Sequence, residues 1–136
     1  MSDHELEKIR LKKAEMLMKL KSMPSEIINI YNVDEFNKIL ELYSNRIIIV
    51  DFWATWCGPC MTFAPVFEKL FQEHSHEIIF LKVNVDVNED ITRHYGISGI
   101  PTTLFFKGKK VIQKIVGATN YNHIKLIIQK IKDYSH

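Results

Sequence analysis

The seven residues Ile47-Ile48-Ile49-Val50-Asp51-Phe52-Trp53 form an unbroken run of β-branched and aromatic side chains with one carboxylate set into it. Alternating polar and apolar residues would signal a strand with one wet face. A continuous run signals a strand covered on both faces, as in a parallel sheet flanked by helices. That requirement narrows the chain to α/β layer architectures. Four residues further on stands Cys57-Gly58-Pro59-Cys60, which holds the only two cysteines of the sequence.

Other segments fit around this strand. "IINI" at 27–30 reads as a short strand, and "VDEFNKILELY" at 33–43 places Phe36, Ile39, Leu40 and Tyr43 at helical spacing. After the cysteines come a helix in "PVFEKLFQEH", a strand in "EIIFLKVNVD" and a short helix in "EDITRHY". "TTLFF" and "KVIQKIV" are two strands joined by Lys107-Gly108-Lys109, and residues 121–134 form a last helix with Ile124, Ile127, Ile128 and Ile131 inward. The alternation predicts a mixed sheet with helices on both faces.

With 136 residues, 46% of them hydrophobic, the chain suffices for one core and an appendage: residues 1–25 as a helical extension and 26–136 as the domain. Ser2 and Glu5 form a capping box, Glu15 and Lys19 an i,i+4 pair, and Ser22-Met23-Pro24 stops the helix. Leu6, Ile9, Met16, Leu20 and Met23 fall at a/d spacing, interrupted by Lys13. An amphipathic helix of this kind rests on its own domain, docks on a partner, pairs with a second copy or lies on a membrane surface. Acidic residues mixed through its polar face argue against the last.

The formal charge is only +2, and the appendage supplies it, so nothing points to nucleic acid. No stretch reaches the roughly 18 apolar residues of a membrane span, and the first twenty residues lack a signal-type apolar block. A soluble cytoplasmic chain is expected, with no membrane partner. In that compartment a lone C-x-x-C is redox-active or metal-binding more often than structural.

Pro59 suits the first turn of a helix, which sets Cys57 at the positive end of the dipole among unpaired N–H groups. Both stabilise a thiolate, the form that attacks disulfides. One helical turn brings Cys57 and Cys60 within bridging distance, so Cys57 would attack and Cys60 resolve. Asp51, inside a covered strand, loses hydration; its carboxyl pKa should rise to where it can accept the Cys60 proton. Trp56, just before the nucleophile, would roof the site, while Trp53 belongs partly to the core. Structural zinc would need four ligands, and the histidines at 4, 74, 76, 94, 123 and 136 are scattered. His74 and His76 read as partners of a helix C-terminus.

"VDFWATWCGPC" with "APVF" following, then "KVNVD", "YGISGIPTTLFFKGK" and "VGA", resembles the thioredoxin family in order and spacing over about residues 27 to 134. The resemblance implies the thioredoxin fold, a central sheet of five strands flanked by four helices, to which the leading helix is an addition. It implies dithiol–disulfide exchange with Cys57 as exposed nucleophile and Cys60 as resolving thiol, and no bound cofactor or metal. It implies Asp51 as buried acid held by Lys82, a cis peptide at Ile100–Pro101, and a flat docking surface of Trp56, Gly58, Pro59, Gly99, Ile100, Pro101, Gly117 and Ala118. Pro65 would kink its helix.

The partners so implied are a reductase, fed by NADPH or by ferredoxin, and protein disulfides as substrates. Glycine and proline between the cysteines are typical of the family's reducing members, whose potential lies near −270 mV, against about −120 mV for the oxidant DsbA. Met61 departs from the usual basic residue there, implying a slightly higher Cys57 pKa and a shifted set of partners. An oxidant or isomerase of the same fold, an interaction module recruiting through its leading helix, and a metal binder are the alternative readings.

Overall fold

The computed structural model describes residues 2–21 and 23–134, with the side chains of 15–21 outside the description. In chain order the elements are α1 (Asp3–Lys21), β1 (Ile28–Ile30), α2 (Val33–Leu42), β2 (Ile47–Trp53), α3 (Gly58–His74), β3 (Ile78–Asn84), α4 (Glu89–His94), β4 (Thr102–Lys107), β5 (Lys110–Val116) and α5 (Tyr121–Tyr134). The five strands form one sheet in the order β1-β3-β2-β4-β5. β3 is parallel to both β1 and β2, β4 runs antiparallel to β2, and β5 antiparallel to β4.

β2 lies at the centre, and its composition follows from that place. Ile48, Val50 and Phe52 enter a cluster with Phe36 and Leu40 of α2 and Ile91 of α4. Ile47 and Ile49 enter a second cluster with Phe63, Phe67 and Leu70 of α3 and Ile124 and Ile128 of α5. Both faces of the strand are therefore dry, which is why neither face carries a run of polar residues. β4 and β5 are joined through Gly108 and Lys109, with φ of 57° and 69°. Two successive positive φ values belong to the tight hairpin turn whose twist matches the flanking strands. Pairing slips at Phe105/Phe106, where β5 carries one extra residue.

α1 begins as its sequence indicates, the Ser2 hydroxyl accepting from the Glu5 N–H at 3.2 Å. It does not rest on the domain over its described side chains: residues 2–14 are all exposed. The reason is their distribution. Leu6 and Ile9 lie one turn apart on one side, Leu11 lies on another, and Lys8, Arg10, Lys12 and Lys13 separate them, so no broad apolar stripe is available for burial. Beyond the helix, Met23 packs against the cluster of α2 and α4. The Glu15–Lys19 pair, Met16, Leu20 and the stop at Ser22 fall outside the described side chains and residues.

Candidate active site

Where β2 ends, the chain passes through Ala54, Thr55 and Trp56 and enters α3 with Cys57 as N-cap. Cys57 is in extended backbone (φ −93°, ψ 108°), and its N–H donates to the Ala54 carbonyl at 3.3 Å. Its Sγ accepts from the Cys60 N–H at 3.2 Å, a bond that satisfies one donor of the first helical turn. Pro59 occupies that turn without loss, having no N–H to leave unpaired. Cys57 and Cys60 are joined as a disulfide, their Cα atoms 5.3 Å apart.

Cys57 departs from the exposed thiol that the resemblance implied: in this disulfide form the residue is only 5% exposed. Its sulfur folds back over the first turn, and Trp53, Val85 and Ile100 pack around Ala54 and the two cysteines. The Ile100 carbonyl oxygen lies 3.8 Å from Cys57 Sγ, and the Ile100–Pro101 peptide is cis. Trp56, Gly58, Pro59 and Ala118 are exposed, Gly99, Ile100 and Gly117 half-buried, and Pro101 buried beneath them. Gly117 has φ 92° and donates to the Pro101 carbonyl at 2.7 Å, a geometry that suits glycine. Met61 is 45% exposed on the first turn beside the disulfide.

Below this surface the register of the sheet assembles a second group. Asp51 is two residues from Ile49 and so shares the α3 face of β2. Lys82 of β3 and Thr103 of β4 are its paired neighbours, and they lie on that face too. Asp51 is 1% exposed, and its Oδ1 has no hydrogen-bond partner; nor has the Thr103 hydroxyl. Burial pushes the Asp51 carboxyl up to about 7, with the Lys82 charge pulling in the opposite direction. Lys82 Nζ also lies 4.5 Å from the centre of the Trp53 ring. Pro65 stands inside α3 as read from sequence.

Sequence reading missed Asp86. Its carboxylate accepts from Trp56 Nε1 at 2.8 Å and so fixes the exposed ring beside the disulfide. Thirty residues separate the two, and no spacing rule links a turn carboxylate to a distant indole. Thr103 and Val85 were missed too, being visible only through strand register. His74 and His76 both lie within 4 Å of Glu77, at 3.2 and 3.8 Å, and Lys132 shares that carboxylate. Among the described residues, which exclude His136, no three His, Cys, Asp or Glu side chains converge as a metal site. No helix among them is long and apolar enough to cross a membrane.

The family model described as Thioredoxin matches residues 27–130. "Thioredoxin" of Chlorobaculum thiosulfatiphilum is 45% identical over 93 residues, 68% of this chain and 83% of that protein. "Thioredoxin-T" of Drosophila melanogaster is 41% identical over 96 residues, 71% of this chain but 61% of its own greater length. The crystal structure of reduced Schistosoma mansoni thioredoxin pre-protein superposes with a TM-score of 0.72 at 38% identity, covering 78% of this chain and 98% of that one. A "Bifunctional thioredoxin reductase/thioredoxin" of Mycobacterium leprae is 43% identical over 77 residues, 57% of this chain and 17% of that protein.

Proposed function

The chain belongs to the thioredoxin family and is a thiol–disulfide oxidoreductase, and from that premise we propose which residues do what and where the electrons come from. The dithiol form is the reductant. Cys57, as thiolate, attacks one sulfur of a protein disulfide; that S–S bond breaks, one substrate thiolate leaves, and a mixed disulfide to Cys57 forms. Cys60 gives its proton to Asp51, and its thiolate attacks Cys57 Sγ. The second substrate thiolate leaves, and the Cys57–Cys60 bond now holds the oxidising equivalents, two electrons having passed to the substrate.

The Cys57 N-cap geometry carries this reading. A sulfur that already accepts a helix N–H in its neutral, bonded state gains more from that donor, and from the helix dipole, once it is an anion. Asp51 acts as proton acceptor because burial has moved its carboxyl to the range where thiols exchange protons. Lys82 limits that shift. Trp56, Gly58, Pro59, Gly99, Ile100, Pro101, Gly117 and Ala118 form the docking ground, with the Ile100 backbone pairing an extended substrate segment as an added strand.

Two electrons return the disulfide to the dithiol, and we assign them to a thioredoxin reductase; the fusion of these two activities in the Mycobacterium leprae relative supports that assignment. No bound cofactor is called for, since the electrons reside on two sulfurs. A reducing compartment, the cytoplasm, suits this direction of flow. Residues 26–136 form the working domain, in keeping with a family match that begins at 27, and residues 1–25 are accessory.

Trapping tests the assignment. Cys60→Ser should accumulate mixed disulfides on Cys57 when offered insulin, and Cys57→Ser should accumulate none. Capture of substrate by Cys57→Ser at the level of Cys60→Ser would overturn the order of attack.

A further inference from the structure

Two recesses lie outside the redox chemistry. The larger is a groove of about 610 Å³ between α5 and β5. Leu126, Ile127 and Ile131 share one side of α5 with Lys130 and form one wall, and Ile112 of β5 lines the groove as well. Ile124 and Ile128 already supply the buried face of this helix, so the core has no need of Leu126 or Ile112, which stand 62 and 43% exposed. Apolar side chains gathered in one groove, and not scattered singly, mark a surface that something covers.

Lys107 joins this groove to a second recess of about 290 Å³, which it lines together with Arg46 and Lys132. Glu77 is the one carboxylate in that lining, and it is shared among Lys132, His74 and His76. Arg46 is half-buried, and among the described residues no carboxylate pairs with it. Three cations less one carboxylate leave an excess of two positive charges beside an apolar trough. A phosphate monoester, with a charge of roughly −1.5 to −2 near neutral pH, matches that excess, and a guanidinium fork matches its oxygens. A polypeptide strand fits the groove poorly, because pairing along β5 is displaced at Phe105/Phe106 and Lys110 and Lys114 charge its margin. The groove has the volume of a small-molecule site.

We propose that the two recesses together bind a single-chain alkyl phosphate, its chain in the groove against Ile112, Leu126 and Ile127 and its head at Arg46 and Lys107. Apolar burial draws the chain in, and the cations select the head. Ile47 lines the head recess, whereas Trp53, at the other end of β2, packs on the cysteines. At about 3.3 Å per residue those ends are roughly 20 Å apart. The amphiphile and a protein disulfide are therefore held at the same time.

Titration of the full oxidised chain with dodecyl phosphate, kept below its critical micelle concentration, tests this by calorimetry and methyl NMR. Saturable one-to-one binding is expected, with shifts at the methyls of Ile112, Leu126 and Ile127 and none at the Ile100 methyls or the Trp56 indole. Leu126→Glu should weaken binding about tenfold and Arg46→Gln about fivefold, while insulin turnover of both matches the parent and certifies the fold. Dodecyltrimethylammonium, the same chain with a cationic head, should bind about tenfold less tightly than dodecyl phosphate. No binding of dodecyl phosphate would overturn the proposal, as would equal affinity for the two heads or undiminished binding by either variant. Inhibition of insulin turnover by dodecyl phosphate would overturn it too, because the chain would then lie on the apolar docking ground. So would retention on phosphatidylcholine vesicles carrying phosphatidic acid without saturable binding of the dissolved amphiphile, since the surface would then be a membrane contact.

Discussion

The redox site has an inner and an outer side, each built around an aspartate. Asp51 is sealed within the sheet, leaves one oxygen without a hydrogen bond and has its carboxyl displaced to about 7. Asp86 is exposed, and its carboxylate is committed to the indole of Trp56. One group is costly to ionise and therefore free to take a proton. The other holds a ring in place through that hydrogen bond. The difference teaches that burial without a partner, and not the carboxylate alone, is what displaces an acid's pKa, and the proton-acceptor role proposed for Asp51 rests on that displacement.

Asp51→Asn should break the inner side most severely. A raised carboxyl pKa means that between about pH 4 and 7 the folded chain holds a proton which the unfolded chain has released. Stability therefore falls as pH climbs through that window and levels off above it. The shift from 3.8 to about 7 corresponds to a loss on the order of 4 kcal/mol at about 1.36 kcal/mol per unit. Urea unfolding of the oxidised protein at pH 8 should show the asparagine variant more stable by that order, with a flatter pH profile. Release of substrate from the mixed disulfide should slow on the order of a hundredfold and lose its pH limb near 7. A variant that is no more stable at pH 8 would mean that Asp51 is already satisfied in the fold.

Gly117→Ala sharpens the comparison on the outer side. A side chain at φ 92° costs about 1–2 kcal/mol, read as a lower urea midpoint together with a raised KM. Trp56→Phe keeps the ring and removes the bond to Asp86, so KM for a protein disulfide should rise about fivefold, the equivalent of roughly 1 kcal/mol, while kcat holds. Asp86→Asn retains an acceptor and should change KM less than twofold. If Asp86→Asn matched Trp56→Phe, the charge of Asp86 and not its hydrogen bond would be the operative feature.

Much of this was legible in the sequence because local pattern and packing agree. The run from Ile47 to Trp53 is β2 from end to end, and the final helix faces inward with the isoleucines read for it. Asp51 stood out because a carboxylate in such a run has no wet face to turn toward. The rest depended on contacts distant in sequence. Trp56 and Asp86 meet only because β2 and β3 are neighbours, and Thr103 faces Asp51 only through the β2–β4 register. α1 was legible only in part: its cap and a/d spacing described a helix and left its resting place open, and the side chains of residues 2–14 are exposed.

The displaced pairing at Phe105/Phe106 has a bearing on how this molecule tolerates crowding. β5 is an edge strand of seven residues with Val111, Ile112 and Val116 open to solvent, composition that invites strand-by-strand growth into fibrils. The bulge twists that margin, and Lys110 and Lys114 charge it, so the open border makes a poor template for a neighbour's backbone. Concentrated solutions should therefore yield no amyloid while the native state persists.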